Sequence, residues 1–193
     1  MTESEFTALA LRNPVNAAVL ERLPSLGLAD AWIVSGSLFQ TVWNIRTGRD
    51  PLHGIRDYDI FYFDTDTSYA AEDAAIGRVR EACGDIPATI EVRNQARVHL
   101  WYVEKFGAPY PALTRSTDGI DRFLMPCAQV GICRNGAGYK LYAPKGLGDV
   151  ADMVVRPNRI PNFQAARYDE KSARWKALWP ELTVLPATDL AAT

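Results

Sequence analysis

Asp57 and Asp59 stand two residues apart at the head of the apolar run IFYF, and residues two apart on a β-strand share a face. Both carboxylates can then approach one cation. Glu91, inside the run ATIEVRNQARVHLWY, supplies a third carboxylate if its strand lies beside the first and faces the same way. Oxygen donors in this number, completed by water and phosphate oxygens, suit Mg²⁺, with Mn²⁺ as its substitute. Two such ions can activate an attacking hydroxyl and neutralise a leaving pyrophosphate. Gly36-Ser37 adds a second ingredient, lying between the apolar run AWIV and LFQTVWNIR. A strand, a small-residue turn and a helix present free backbone amides and a hydroxyl, which is a phosphate site. Glycine admits the close approach, and serine can both cap the helix and bond a phosphate oxygen. Each feature also has a plain structural reading: exposed strand-edge acids for Asp-x-Asp, an ordinary helix start for Gly-Ser.

The elements that must position these residues are legible from pattern. Asn13-Pro14 reads as a cap and first helical position, with Pro24 as the stop. AWIV is a short buried strand. Apolar residues at 38, 42 and 45 mark a helix after the Gly-Ser turn. Gly48, Pro51 and Gly54 make 46–56 a loop, and DYDIFYFD is strand-like. SYAAEDAAIGRVREAC is an amphipathic helix. Thr89 to Val103 reads as one long strand, which would set Glu91, Arg93, Gln95, Arg97, His99 and Trp101 on one face. A β-bulge in that run would bring Asn94 to the site face instead. DGIDRFLM reads as a short helix. AQVGICR and YKLYA flank Asn135-Gly136-Ala137-Gly138, a hairpin signal. GLGDVADMVV reads as helical, a last helix spans about 168–178, and the tail after Pro186 reads as disordered.

Arg93, Arg97, Lys140 and Lys145 are the candidate cations for a triphosphate, because transfer at phosphorus requires charge neutralisation. Trp43, Trp101, Trp175 and Trp179 read as core. Asp-x-Asp also marks haloacid-dehalogenase-like phosphatases, where an apolar strand precedes the pair and Thr or Val follows. Here Gly54-Ile55-Arg56 precedes it and Phe61 stands at the later place, which sets that chemistry aside.

Composition narrows the class. The 193 residues fit one domain, with or without a small appended lobe; 48% are hydrophobic and 23% charged, as in a soluble globular protein. A net charge of −2 provides no field for a long polynucleotide or an anionic membrane. No run reaches the ~18 apolar residues of a membrane span, and MTESEF lacks the features of a secretory signal. Cys83, Cys127 and Cys133 lack zinc-ligand spacing and read as buried reduced thiols, so the expected location is cytoplasmic.

The Gly-Ser turn, DYDIFYFD and a Glu-bearing strand together resemble the nucleotidyltransferase superfamily that includes DNA polymerase beta and the aminoglycoside nucleotidyltransferases. More narrowly, EVRNQARVHLWY, FGAPY, APKGLGDVADMVVRPN and KSARWKALWPEL resemble an uncharacterised bacterial family of nucleotidyltransferase-like proteins, over about residues 15–185. The NQARVHLW string is the most specific part. The gap from Ser37 to Asp57 is longer than the superfamily's usual spacing. The resemblance implies Asp57, Asp59 and Glu91 as the metal-binding carboxylates, with Gly36 and Ser37 on the triphosphate.

The expected fold is α/β (α+β): a nucleotidyltransferase-like mixed sheet with packed helices, a catalytic core over 1–110 and a helical C-terminal portion over 111–193 packed on it. The expected chemistry is Mg²⁺-dependent transfer of a nucleoside monophosphate from a nucleoside triphosphate to an unknown small-molecule or protein acceptor. Asp57, Asp59 and Glu91 would be catalytic; Gly36, Ser37, Arg93, Arg97 and Lys140 would bind the nucleotide. The alternative is a module that keeps the fold and binds nucleotide or a partner without turnover.

Overall fold

A computed structural model describes residues 1–188. In chain order it contains α1 (Glu3–Ala10), α2 (Pro14–Arg22), β1 (Trp32–Val34), α3 (Gly36–Arg46), β2 (Tyr58–Tyr62), α4 (Tyr69–Ala82) and β3 (Ile90–Asn94). There follow α5 (Val98–Phe106), α6 (Ser116–Ile120), β4 (Gly131–Asn135), β5 (Gly138–Tyr142), α7 (Gly148–Ala151), β6 (Val154–Val155), α8 (Ala165–Leu178) and β7 (Thr183–Val184). The first five strands form one mixed sheet in the order β3-β2-β1-β4-β5, with β2 and β3 parallel and the other pairs antiparallel; β6 and β7 form a separate parallel pair. Strands from both sides of residue 110 therefore share one sheet. Among the described residues no helix is long and apolar enough to cross a membrane.

Burial alternates along β2: Tyr58, Ile60 and Tyr62 are buried, Asp59 and Phe61 half-buried. Ile33, Ile60, Val92 and Ile132 join the main core on one face, which α1 to α4 cover. The opposite face carries Glu91, Asp59 and Val34 in one row and Arg93, Phe61 and Trp32 in the next, because residues paired across strands point the same way. Trp32, Val34 and Ile120 form a small apolar cluster there, with Phe61 and Phe123 stacked 5.6 Å apart between centroids. One face builds the core, and the other is left to carry the acids.

Local chemistry accounts for most boundaries. Asn13 caps α2 by accepting from the Val15 and Asn16 amides, with Pro14 at the first helical position. Ser68 caps α4. Thr2 and Glu5 close a capping box on α1, a signal present in TESE that the sequence reading passed over. Gly136, at φ +57°, turns the β4–β5 hairpin.

Three expectations fail: the helix expected over DGIDRFLM stops at Ile120, the end of α6, and two other elements depart further. The strand expected over 89–103 ends at Asn94, whose side chain accepts from the Ala96 amide and caps a 3₁₀ turn over Gln95–Arg97 that feeds α5. Asn94 also accepts from the Asp64 amide at 3.0 Å and donates to the Asp64 carbonyl at 2.9 Å, so local side-chain bonding overrides the apolar alternation. The helix expected over GLGDVADMVV is one turn, α7; Met153 then adopts φ +55° and Val154–Val155 pair with β7. Of the tail expected to be disordered, Ala187 packs against the core and residues 189–193 lie outside the described residues. Cys83 and Cys127 are buried free thiols as expected, and Cys133 is a half-buried one.

The C-terminal helix is held by aromatic packing. Trp43 on α3 meets Trp175 and Trp179 edge-on at 6.0 and 5.6 Å, and Trp179 donates to Asn44 Oδ1 at 2.8 Å. This seam turns Tyr168, Ser172 and Trp175 inward, leaving Arg167, Lys171 and Arg174 on the adjoining side of α8.

Candidate active site

Asp57 stands one residue before β2, exposed; Asp59 is the second residue of the strand, half-buried. The parallel register pairs Asp59 with Glu91, so the third carboxylate arrives on the same face of the sheet. Antiparallel pairing of Val34 with Asp59 brings the turn after β1 to the end of β2 where both aspartates stand. Because β1 and β2 run in opposite directions, α3 and the 47–57 loop fill the interval without displacing the turn from the acids. The long spacing from Ser37 to Asp57 is thereby explained.

The turn itself differs from expectation in detail. Ser35 is the N-cap, at φ 57° and ψ −116°, and makes no side-chain cap bond. This is a region glycine prefers, so the serine stores strain, held by its amide donating to the Val130 carbonyl at 2.8 Å. Gly36 and Ser37 are the first two helical residues, whose amides have no partner within a helix. Ser37 is not the cap: its side chain is buried and its Oγ has no hydrogen-bond partner. Its carbonyl accepts from Asn16 Nδ2 at 2.9 Å and Thr41 Oγ1 at 2.6 Å, and Asn13 links Thr41 to the Tyr58 hydroxyl. A buried amide network thus fixes the turn against the strand that bears the aspartates.

Charge is crowded on this face. Asp59 is pushed up to about 7, first by burial, then by Asp57 and Glu91; Lys171 and Arg93 oppose the shift. Lys171 is pushed down, by burial and then by Arg167 and Arg174, with Asp59 and Asp57 opposing. Lys171 on α8 and the two aspartates therefore face each other. Glu91 Oε2 accepts from Arg93 Nη2 at 3.0 Å, a half-exposed ion pair. Among the described residues no three His, Cys, Asp or Glu side chains are grouped closely enough to hold a metal ion as they stand. The donor set still fits a hard divalent cation. Asp57 and Asp59 offer carboxylate oxygens, and Asp59, raised first by burial and then by Asp57 and Glu91, is a carboxyl whose ionised form a cation would favour.

The remaining candidates scatter. Arg93 stays on the acid face. Arg97 does not: the 3₁₀ turn buries it, pairs it with Glu72 at 2.5 Å and lays it 4.2 Å over the Tyr69 ring, an internal tie. Lys140 shares the acid face, its amine 5.7 Å over Trp32, but β5 lies three strands from β2, roughly 14 Å at about 4.8 Å per strand. Lys145 is exposed in a turn. Gln95 is buried, and His99 is half-buried on α5, outside the strand parity assumed for it. Trp43, Trp175 and Trp179 are core, whereas Trp101 lines a cavity beside Arg93. Sequence reasoning missed Arg167, Lys171 and Arg174. Their spacing of four and three residues, one helical face, was the available signal.

Residues 21–184 match the family model described as Nucleotidyltransferase. Among solved structures, one described as an NMR structure that reveals a CCA-adding enzyme head domain matches with a TM-score of 0.76 and 26% identity. That match covers 96% of this chain and 96% of the other. A search of curated proteins found no match. The sheet order, the acid pair beside a helix-opening turn and a family match spanning most of the chain lead to one assignment: the protein belongs to the nucleotidyltransferase family.

Proposed function

We propose that this nucleotidyltransferase moves a nucleoside monophosphate from a nucleoside triphosphate to a hydroxyl of a small-molecule or protein acceptor, releasing pyrophosphate. The observation that supports the reading is the register that pairs Asp59 with Glu91 on one side and with Val34, two residues before Gly36, on the other, with Asp57 two residues before Asp59. Asp57 and Asp59 would hold Mg²⁺ or Mn²⁺, whose charge offsets that of the α-phosphate and the departing pyrophosphate. The amides of Gly36 and Ser37, at the positive end of α3, would bind the outer phosphates; each such interaction contributes about 0.3–1 kcal/mol. The Ser37 hydroxyl, buried and unpartnered, is the donor available to a phosphate oxygen once the turn adjusts. Lys171, opposite the aspartates on α8, adds positive charge where the triphosphate would lie. Arg93 orients Glu91, which would accept the acceptor's hydroxyl proton.

The test follows ³²P from α-labelled nucleoside triphosphates, together with pyrophosphate release, in wild type, Asp57→Asn, Asp59→Asn and Glu91→Gln. With a small-molecule acceptor library supplied, label should move in wild type and fall at least a hundredfold in all three variants. Equal release by wild type and variants would exclude these acids from the chemistry.

A further inference from the structure

Beside the acids, between the open face of the sheet, α5 and α8, lies a cavity of about 160 Å³. Its floor begins at Phe61 and Arg93, each two residues beyond an acid on the same strand and face. Four cations line it (Arg93, Arg122, Arg167 and Lys171) and no carboxylate does. Arg93 has its ion pair with Glu91; among the described residues none of the other three has a carboxylate within ion-pair distance. Arg122 Nε is buried without a hydrogen-bond partner. Asn162 is 1% exposed, and its Oδ1 is likewise unpartnered while its amide donates to the Tyr102 hydroxyl and the Arg122 carbonyl. Unmatched buried donors and acceptors are costly, about 1–3 kcal/mol each, and a native cavity that keeps them is suited to a ligand that satisfies them.

The rest of the wall is aromatic. Trp101, Tyr102, Tyr110 and Phe123 join Phe61, with the Tyr102 and Tyr110 rings 4.3 Å apart. An apolar cavity of ~150 Å³ holds one benzene-sized ring. A single flat ring with an anionic substituent fits this volume and its lining. A neutral base would leave Arg122, Arg167 and Lys171 unmatched.

We infer that this cavity is the acceptor seat, and that the acceptor is a small molecule with one flat ring, a carboxylate or phosphate, and a nucleophilic hydroxyl. The inference rests on the transfer reading above. The anion meets Arg122 and Arg167, the ring lies against Trp101 and Phe61, and the hydroxyl projects past Arg93 toward Glu91. Its oxygen bonds to the α-phosphorus as the α–β anhydride bond breaks. Pyrophosphate leaves with the bonding pair, and the hydroxyl proton passes to the Glu91 carboxylate and on to solvent.

The test uses benzoate, phenyl phosphate and benzyl alcohol as probes, titrated into full-length protein while the Trp101 indole resonance is followed by NMR. Benzoate or phenyl phosphate should shift that resonance, and the tighter of the two names the anion. Benzyl alcohol should bind at least tenfold more weakly. Arg122→Gln and Arg167→Gln, each verified as folded by its melting curve, should weaken the anions about tenfold. Binding of Mg²⁺–nucleoside triphosphate should be unchanged in Arg122→Gln. Equal binding of benzyl alcohol, an unmoved Trp101, or wild-type anion affinity in both variants would overturn the inference. Displacement of benzoate by the triphosphate would also overturn it, giving the cavity to the nucleotide while leaving the transfer reading standing. Loss of triphosphate binding in wild type would instead defeat the transfer reading, and the acceptor role with it.

Discussion

Replacing Asp59 by Asn should make the metal-free protein more stable and at the same time cost it its affinity for divalent cations. The carboxyl is pushed from 3.8 to about 7 by burial and by Asp57 and Glu91, so ionising it opposes folding. Three units correspond to about 4 kcal/mol at ~1.4 kcal/mol per unit, and partial exposure of the side chain reduces this to roughly 2 kcal/mol. The folded state holds the proton more tightly than the unfolded chain does. Stability therefore falls as pH rises from about 4 to about 7, and this contribution is constant above that. Asparagine lacks the loss. The variant's advantage should be near zero at pH 4, open across that window and plateau above pH 7 at roughly 4–8 °C in Tm. Melting curves in chelator at pH 4, 6 and 8, paired with Mn²⁺ titration at pH 8, read both halves. A variant no more stable than wild type at pH 8 would refute the crowded-acid account, and unchanged Mn²⁺ affinity would refute the metal role.

Three other substitutions probe the framework around these acids. Ser35→Gly relieves the φ 57° strain and should raise stability by about 1 kcal/mol in urea unfolding. Arg97→Met leaves the half-buried Glu72 without its ion partner and should cost about 3 kcal/mol, also read in urea, with Mn²⁺ affinity retained in the folded fraction. Ser37→Ala removes a hydroxyl that bonds nothing in the protein, so Tm should fall by less than the ~1 kcal/mol of a lost cap while triphosphate affinity drops. A full cap-sized loss with unchanged affinity would return Ser37 to a structural role.

Residues whose roles are set by neighbours in sequence were the legible ones. The period of two over Asp57–Phe61, the Asn13-Pro14 cap and the glycine-rich hairpin each carry their structure within a few positions. The run after Glu91 misled for a physical reason. Its apolar alternation continues past the point where Asn94 bonds the 64–66 loop and Arg97 meets Glu72, partners more than twenty residues away. Contacts at that separation leave no mark on local periodicity, so Gln95, Arg97 and His99 were assigned to a face that the chain had already left. The α8 cations were missed for the converse reason. Their helical spacing is plain, but only the packing of Trp43 against Trp175 and Trp179 turns that side of the helix toward the acids.

The account stands on the acids and the turn after β1 forming one metal–triphosphate site. Paramagnetic broadening tests this most directly: Mn²⁺ is added with a non-hydrolysable nucleoside triphosphate to ¹⁵N-labelled protein, and backbone amide signals are followed. The account predicts selective loss of the amides of Gly36, Ser37, Tyr58, Asp59 and Val92, with those of β5 retained and the whole effect absent in Asp57→Asn. Broadening spread evenly over the surface, or confined to residues away from these strands, would contradict it.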